Sequence, residues 1–140
     1  MIIFDDVTFT FADAKHPTLE KVNLEIVEGE LALVLGETGS GKSTQVASFL
    51  SGRFVDGNII QTQTRVAATE LVAKRVSAET TCYVDIKTGE TETGDWEGPL
   101  VFCTNGCLAQ RLARNKRSLR KCAVLIVDEV HEEGWERDFI

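Results

Sequence analysis

Residues 36–44 read GETGSGKST: three glycines within six positions, then Lys-Ser-Thr. The spacing Gly36-x4-Gly41-Lys42-Ser43 is that of a phosphate-binding loop, and it falls where the mechanism requires it, after an apolar run and before a helical pattern. Glycines let the backbone curl until successive N–H groups converge on phosphate oxygens. The helix that starts near Gly41 adds its positive end. The predicted cradle is Gly36, Glu37, Thr38, Gly39, Ser40, Gly41, Lys42, Ser43 and Thr44. Lys42 would reach the outer phosphates, and the Ser43 hydroxyl would ligate magnesium. The ligand implied is ATP or another nucleoside triphosphate, with Mg2+.

Upstream, residues 31–36 (LALVLG) form a continuous apolar run that reads as a buried strand of parallel type. Residues 1–30 alternate apolar and polar in two stretches, IIFDDVTFTF and VNLEI, which predicts an antiparallel meander. Downstream, Lys42–Leu50 has helical spacing. NIIQTQ (58–63) reads as a strand, residues 64–79 as a helix, CYVDI as a short strand, and KTGETETGDWEG as a polar hairpin loop. PLVFCT is a buried strand, NGCLAQRLARN a helix, and CAVLIVDE a further apolar strand. Such alternation predicts an α/β fold: a mostly parallel sheet with helices on both faces. With 140 residues, the chain reads as one domain, an N-terminal β segment at 1–35 running into an α/β core at 36–140.

The last strand ends in Asp128-Glu129, about 85 residues after Ser43. Carboxylates at the carboxyl end of a strand lie on the side where a phosphate loop lies. Asp128 suits the magnesium shell. Glu129 suits the attacking water, which it can orient and deprotonate as the γ-phosphate departs.

Composition narrows the alternatives. Apolar residues make up 43% of the chain, charged residues 26%, and the net charge is −7, which argues against a dedicated basic nucleic-acid clamp. The charge is uneven: Arg111, Arg114, Lys116, Arg117, Arg120 and Lys121 follow one another without an acid. That run could bind phosphates, or could answer the C-terminal dipole of a helix. No apolar run approaches the roughly 20 residues that span a bilayer, and MIIFDDVTF has no basic n-region, so a cytoplasmic protein without membrane insertion is expected. Cys82, Cys103, Cys107 and Cys122 form no CxxC pair and are read as reduced thiols.

Four stretches in order resemble the first RecA-like domain of DEAH/DExH-box RNA helicases. GETGSGKSTQ resembles the family's first motif, down to Gln45. TQTRVAA (62–68) resembles motif Ia, usually TQPRRVAA. CTNGCLAQRL (103–112) resembles motif Ib, with Asn105 where Asp is usual, and DEVHEEGWERDFI (128–140) resembles motif II and its tail. The resemblance implies a P-loop NTPase in which Thr62, Arg65 and Thr104 touch the backbone of a single-stranded RNA and His131 couples the nucleotide site to the rest of the machine. It also implies slow ATP hydrolysis and no unwinding by this chain alone. In that family a second RecA-like domain supplies an arginine finger worth roughly a thousand- to a hundred-thousand-fold in rate, and the sequence stops shortly after motif II.

Residues 1–44 resemble instead the N-terminus of ABC-transporter ATPases, which implies that Phe11 stacks on adenine; an aromatic in an alternating strand can equally be core packing. Together the resemblances read as a hybrid, an ABC-like front on a helicase-like back, recombined or engineered; a natural divergent chain is the alternative. The functions left standing are a DExH-type ATPase, an ABC-type ATPase fragment and a non-catalytic nucleotide-binding module.

Overall fold

The computed structural model describes residues 1–130 except 11, 18, 38, 52, 54 and 55. Phe11, Thr38 and His131, all expected site residues, lie outside the described residues. The chain divides into two compact units, Met1–Gly36 and Glu37–Ile140.

The first unit is a two-stranded antiparallel ribbon of β1 (Ile2–Phe9) and β2 (Leu19–Ile26). Its register slips twice, between Phe4 and Val7 and between Val7 and Phe9. Asp6 and Lys21 take left-handed backbone angles, each with φ 48°. Partner-strand side chains satisfy the amides turned out of the ladder: Asp6 N–H donates to Asn23 Oδ1 (2.8 Å) and Lys21 N–H to Thr8 Oγ1 (3.1 Å). Ile2, Phe4, Val7, Val22 and Ile26 are half-buried, and no described residue of the ribbon is fully buried.

Residues 31–36 correct the sequence reading. They form no strand, and Leu31, Leu33 and Leu35 are 96%, 76% and 81% exposed. An apolar run becomes a buried strand only where a ladder takes up its N–H and C=O groups. No described strand of either unit pairs with this one.

The second unit follows the predicted alternation. Its elements are α1 (Lys42–Leu50), β3 (Asn58–Gln63), α2 (Val66–Glu79), β4 (Val84–Lys87), β5 (Leu100–Thr104), α3 (Asn105–Arg114) and β6 (Cys122–Val127). The sheet order is β4-β5-β3-β6, with every pair parallel. β3 is central and buried throughout, as an apolar or polar strand must be when helices cover both faces. Successive residues of a strand face opposite sides. Ile60, Val101 and Cys103 accordingly share one face with Leu108 of α3, where Leu112 and Leu119 pack against them. Gln61 points to the other face, towards α1. Helices on both faces were expected, and the side chains place them there. No helix among the described residues is long and apolar enough to cross a membrane.

β4 and β5 run parallel, so the connection at 88–99 is not the hairpin expected between them. Lys87 and Glu92 make one antiparallel bridge at its start, and the connection is built around a buried carboxylate. Asp85 is 1% exposed and accepts the Asp95 N–H at 3.3 Å. Gly94 and Gly98 crowd it so closely that a Cβ at either would collide with the carboxyl group.

Candidate functional site

The phosphate loop is described from Glu37 to Thr44, Thr38 excepted. Gly39 and Gly41 have φ 83° and 87°, angles that side chains rarely tolerate. Gly41 caps α1, whose first residue is Lys42, so the orphan N–H groups of the first turn open toward the loop. Part of the predicted cradle is already engaged. Ser40 N–H donates to Glu37 O (3.1 Å) and Thr44 N–H to Gly41 O (3.1 Å). The Thr44 hydroxyl donates to the same Gly41 carbonyl at 3.1 Å. The Lys42 ammonium folds back on the loop, donating to Glu37 O (2.8 Å) and the Ser40 hydroxyl (3.3 Å); an anion bound there would compete for it.

Two glutamines tie this loop to the sheet. Gln61 Nε2 donates to the Ser43 carbonyl at 2.8 Å, and Gln63 Nε2 donates to Asp128 Oδ2 at 2.7 Å. Gln61 and Gln63 are i and i+2 of one strand, so their side chains leave the same face about 7 Å apart. The first turn of α1 and the carboxylate after β6 are therefore fastened to neighbouring positions on β3. Asp128 also accepts the Glu129 N–H at 2.9 Å, and Glu129 is left-handed with φ 52°. A non-glycine residue in that region costs of the order of 1 kcal/mol.

The strands end in register. Gln63 pairs with Thr104, and Thr62 pairs with both Cys103 and Val127. Arg65 and Thr104, the backbone N-caps of α2 and α3, thus stand at the same carboxyl edge as Asp128. Arg65 is exposed and Thr104 half-buried. Thr62, the third residue expected at an RNA backbone, is fully buried at 0% exposure. Gln61 and Gln63 were missed by sequence reasoning. Their signal was two polar residues inside an otherwise buried strand, which must find partners.

The residues suit Mg–ATP on their own geometry. Positive-φ glycines and a helix start suit phosphates. A hydroxyl and one carboxylate suit a magnesium ion that also takes phosphate oxygens and water. Among the described residues no cluster of three or more His, Cys, Asp or Glu forms an all-protein metal cage. When bound, the ion would supply charge neutralisation at the phosphates.

A parallel sheet with a glycine-rich loop at a helix start and an acid just after the strand beside β3 defines the P-loop nucleotide-binding class. Comparison with known proteins then narrows it. The chain is 36% identical over 126 residues to the DExH-box ATP-dependent RNA helicase DExH1 of Arabidopsis thaliana, covering 82% of this chain and 12% of that protein. It is 33% identical over 149 residues to the probable ATP-dependent RNA helicase spindle-E of Aedes aegypti, covering 99% of this chain and 11% of that protein. It is 34% identical over 133 residues to the ATP-dependent RNA helicase DEAH12, chloroplastic, of Arabidopsis thaliana, covering 90% and 7%. No protein-family profile matches the chain. Its relatives are thus DExH/DEAH-box helicases, and it spans about a tenth of their length. The match covering 99% of the chain takes in residues 1–35 as well, so the expected ABC-like front and hybrid origin draw no support from it.

Proposed function

We propose that this chain binds Mg–ATP at residues 36–44 and hydrolyses it slowly, as the nucleotide-binding portion of a DExH-type RNA helicase. The observation that supports this most is the pair of bonds from β3, Gln61 to Ser43 and Gln63 to Asp128, which bring the two expected magnesium ligands to one face of one strand. Lys42 neutralises charge on the outer phosphates. Glu129 orients and deprotonates the attacking water. Turnover by these 140 residues is slow, because in the family they resemble the arginine finger comes from a second RecA-like domain. RNA binds along the carboxyl edge through Arg65 and Thr104, and raises turnover when that second domain is supplied.

The test is Mg–ATP binding and turnover, with and without single-stranded RNA, on the parent chain and two variants. Lys42→Ala removes charge-assisted hydrogen bonds of roughly 1.5–3 kcal/mol and should weaken binding more than tenfold. Glu129→Gln should keep affinity and lose turnover. Unchanged affinity in Lys42→Ala would sink the binding site. Turnover equal in parent and Glu129→Gln would instead favour a non-catalytic nucleotide-binding module.

A further inference from the structure

A cavity of about 330 Å³ lies between the β4–β5 connection and the last turns of α3, and the proposed ATP chemistry does not use it. Its walls include Lys87, Glu92, Trp96, Arg111, Arg114 and Ser118. Several of these are held in place by contacts of their own. Lys87 is 3% exposed, and its ammonium donates to Glu92 Oε1 (3.0 Å) and Gly94 O (2.8 Å). The Arg111 guanidinium lies over the Trp96 ring, 4.8 Å from its centroid, and Nη2 donates to Ser118 O at 3.3 Å. Such a stacked guanidinium is ordered in advance, so less entropy is lost when it binds a ligand. Arg114, one turn further along α3, is exposed.

The charge balance indicates what fits. Lys87 and Glu92 cancel as an ion pair. Arg111 and Arg114 both stand in the last turn of α3, where the helix C-terminus offsets about half a charge. Counting only the described residues, about one and a half positive charges remain at the walls of a cavity at the small end of the ligand range. A carboxylate supplies one negative charge. A phosphate monoester supplies roughly 1.5 to 2 at neutral pH, with three acceptor oxygens for guanidinium donors.

We propose that this cavity binds a phosphate monoester group, admitting at most a mononucleotide's worth of the molecule that carries it, with Arg111 and Arg114 gripping the phosphoryl oxygens. The site is separate from the phosphate loop and from the Thr104 end of α3. The monoester is either a free phosphorylated small molecule or the terminal phosphate of a nucleic acid.

Trp96 provides the readout. Lys42→Ala weakens the phosphate loop, and Trp135→Phe, outside the described residues, leaves Trp96 as the one tryptophan. In that background ribose 5-phosphate should change the fluorescence saturably, and ribose should not. Arg114→Gln alters an exposed side chain and spares the core; it should weaken binding at least tenfold, whereas Arg75→Gln on α2 should leave it unchanged. Lowering the pH to 5 should weaken binding, since the second phosphate pKa is near 6. Displacement by a 5′-phosphorylated octauridylate but not by its 5′-hydroxyl form would assign the phosphate to nucleic acid. Displacement by neither would assign it to a small molecule. A response that does not saturate, equal affinity in Arg114→Gln, or equal displacement by the 5′-hydroxyl oligomer would overturn the proposal.

Discussion

Gln63 and Asp128 meet at 2.7 Å across the join between β3 and β6, where a neutral donor holds a carboxylate acceptor. Hydrogen bonds to charged groups contribute roughly 1.5–3 kcal/mol. Gln63→Leu should therefore weaken Mg–ATP by roughly ten- to a hundredfold, while ATP without magnesium binds as before; calorimetric titration with and without the metal separates the two. Cys103 behaves differently. Burial first, then the neighbouring Cys107 and Cys122, push its thiol from 9.0 up to about 12. The folded value exceeds the unfolded one, so its stabilising contribution is complete below pH 9 and declines as pH rises towards 12, by about 1.4 kcal/mol per unit. Urea midpoints between pH 8 and 11 should fall more steeply for the parent than for Cys103→Ala. Neither effect was legible in the sequence. Motif spacing pointed to Asp128 and Ser43, yet the bonds to them come from Gln61, outside every motif, and from Gln63, whose place in motif Ia did not mark it as a partner of Asp128; the strand register decides which side chains meet.

Among the elements, the connection between β4 and β5 is a place where packing is unforgiving. Gly98→Ala places a methyl group against the Asp85 carboxylate, which has one other wall in Gly94 and is almost fully buried. Overpacking of this kind costs about 1–3 kcal/mol, so the urea midpoint should drop, and Gly89→Ala, with open space around it, should cost far less. Element order in the second unit was readable because each segment has one clear period. NIIQTQ is the strand predicted to the residue, bounded by Gly57 and by the extended Arg65 cap. LALVLG shows the limit of such reading. Its apolar character is real, but strand formation depends on a partner ladder that local sequence does not encode. Polar residues inside NIIQTQ were equally opaque, since only the packed fold reveals that α1 and β6 supply their partners.

At the scale of the whole molecule, the run from Leu31 to Leu35 stands out as exposed apolar chain. Exposed apolar stretches of high strand propensity invite pairing with other chains. Leu33→Lys, at a position 76% exposed, should raise solubility and reduce light scattering on heating, with the unfolding midpoint of the second unit unchanged. A lowered midpoint would mean that Leu33 is buried in solution. The Gln61–Ser43 bond has a consequence of another kind. Gln61 is fully buried, and its amide grips the helix backbone at the turn where helices ordinarily fray. α1 cannot open from its first turn without breaking the bond from Gln61. The hydrogen-bonded Thr44 amide should exchange with solvent on the slow schedule of the central strand, so the loop that receives a mobile ligand rests on one of the last parts of the second unit to open.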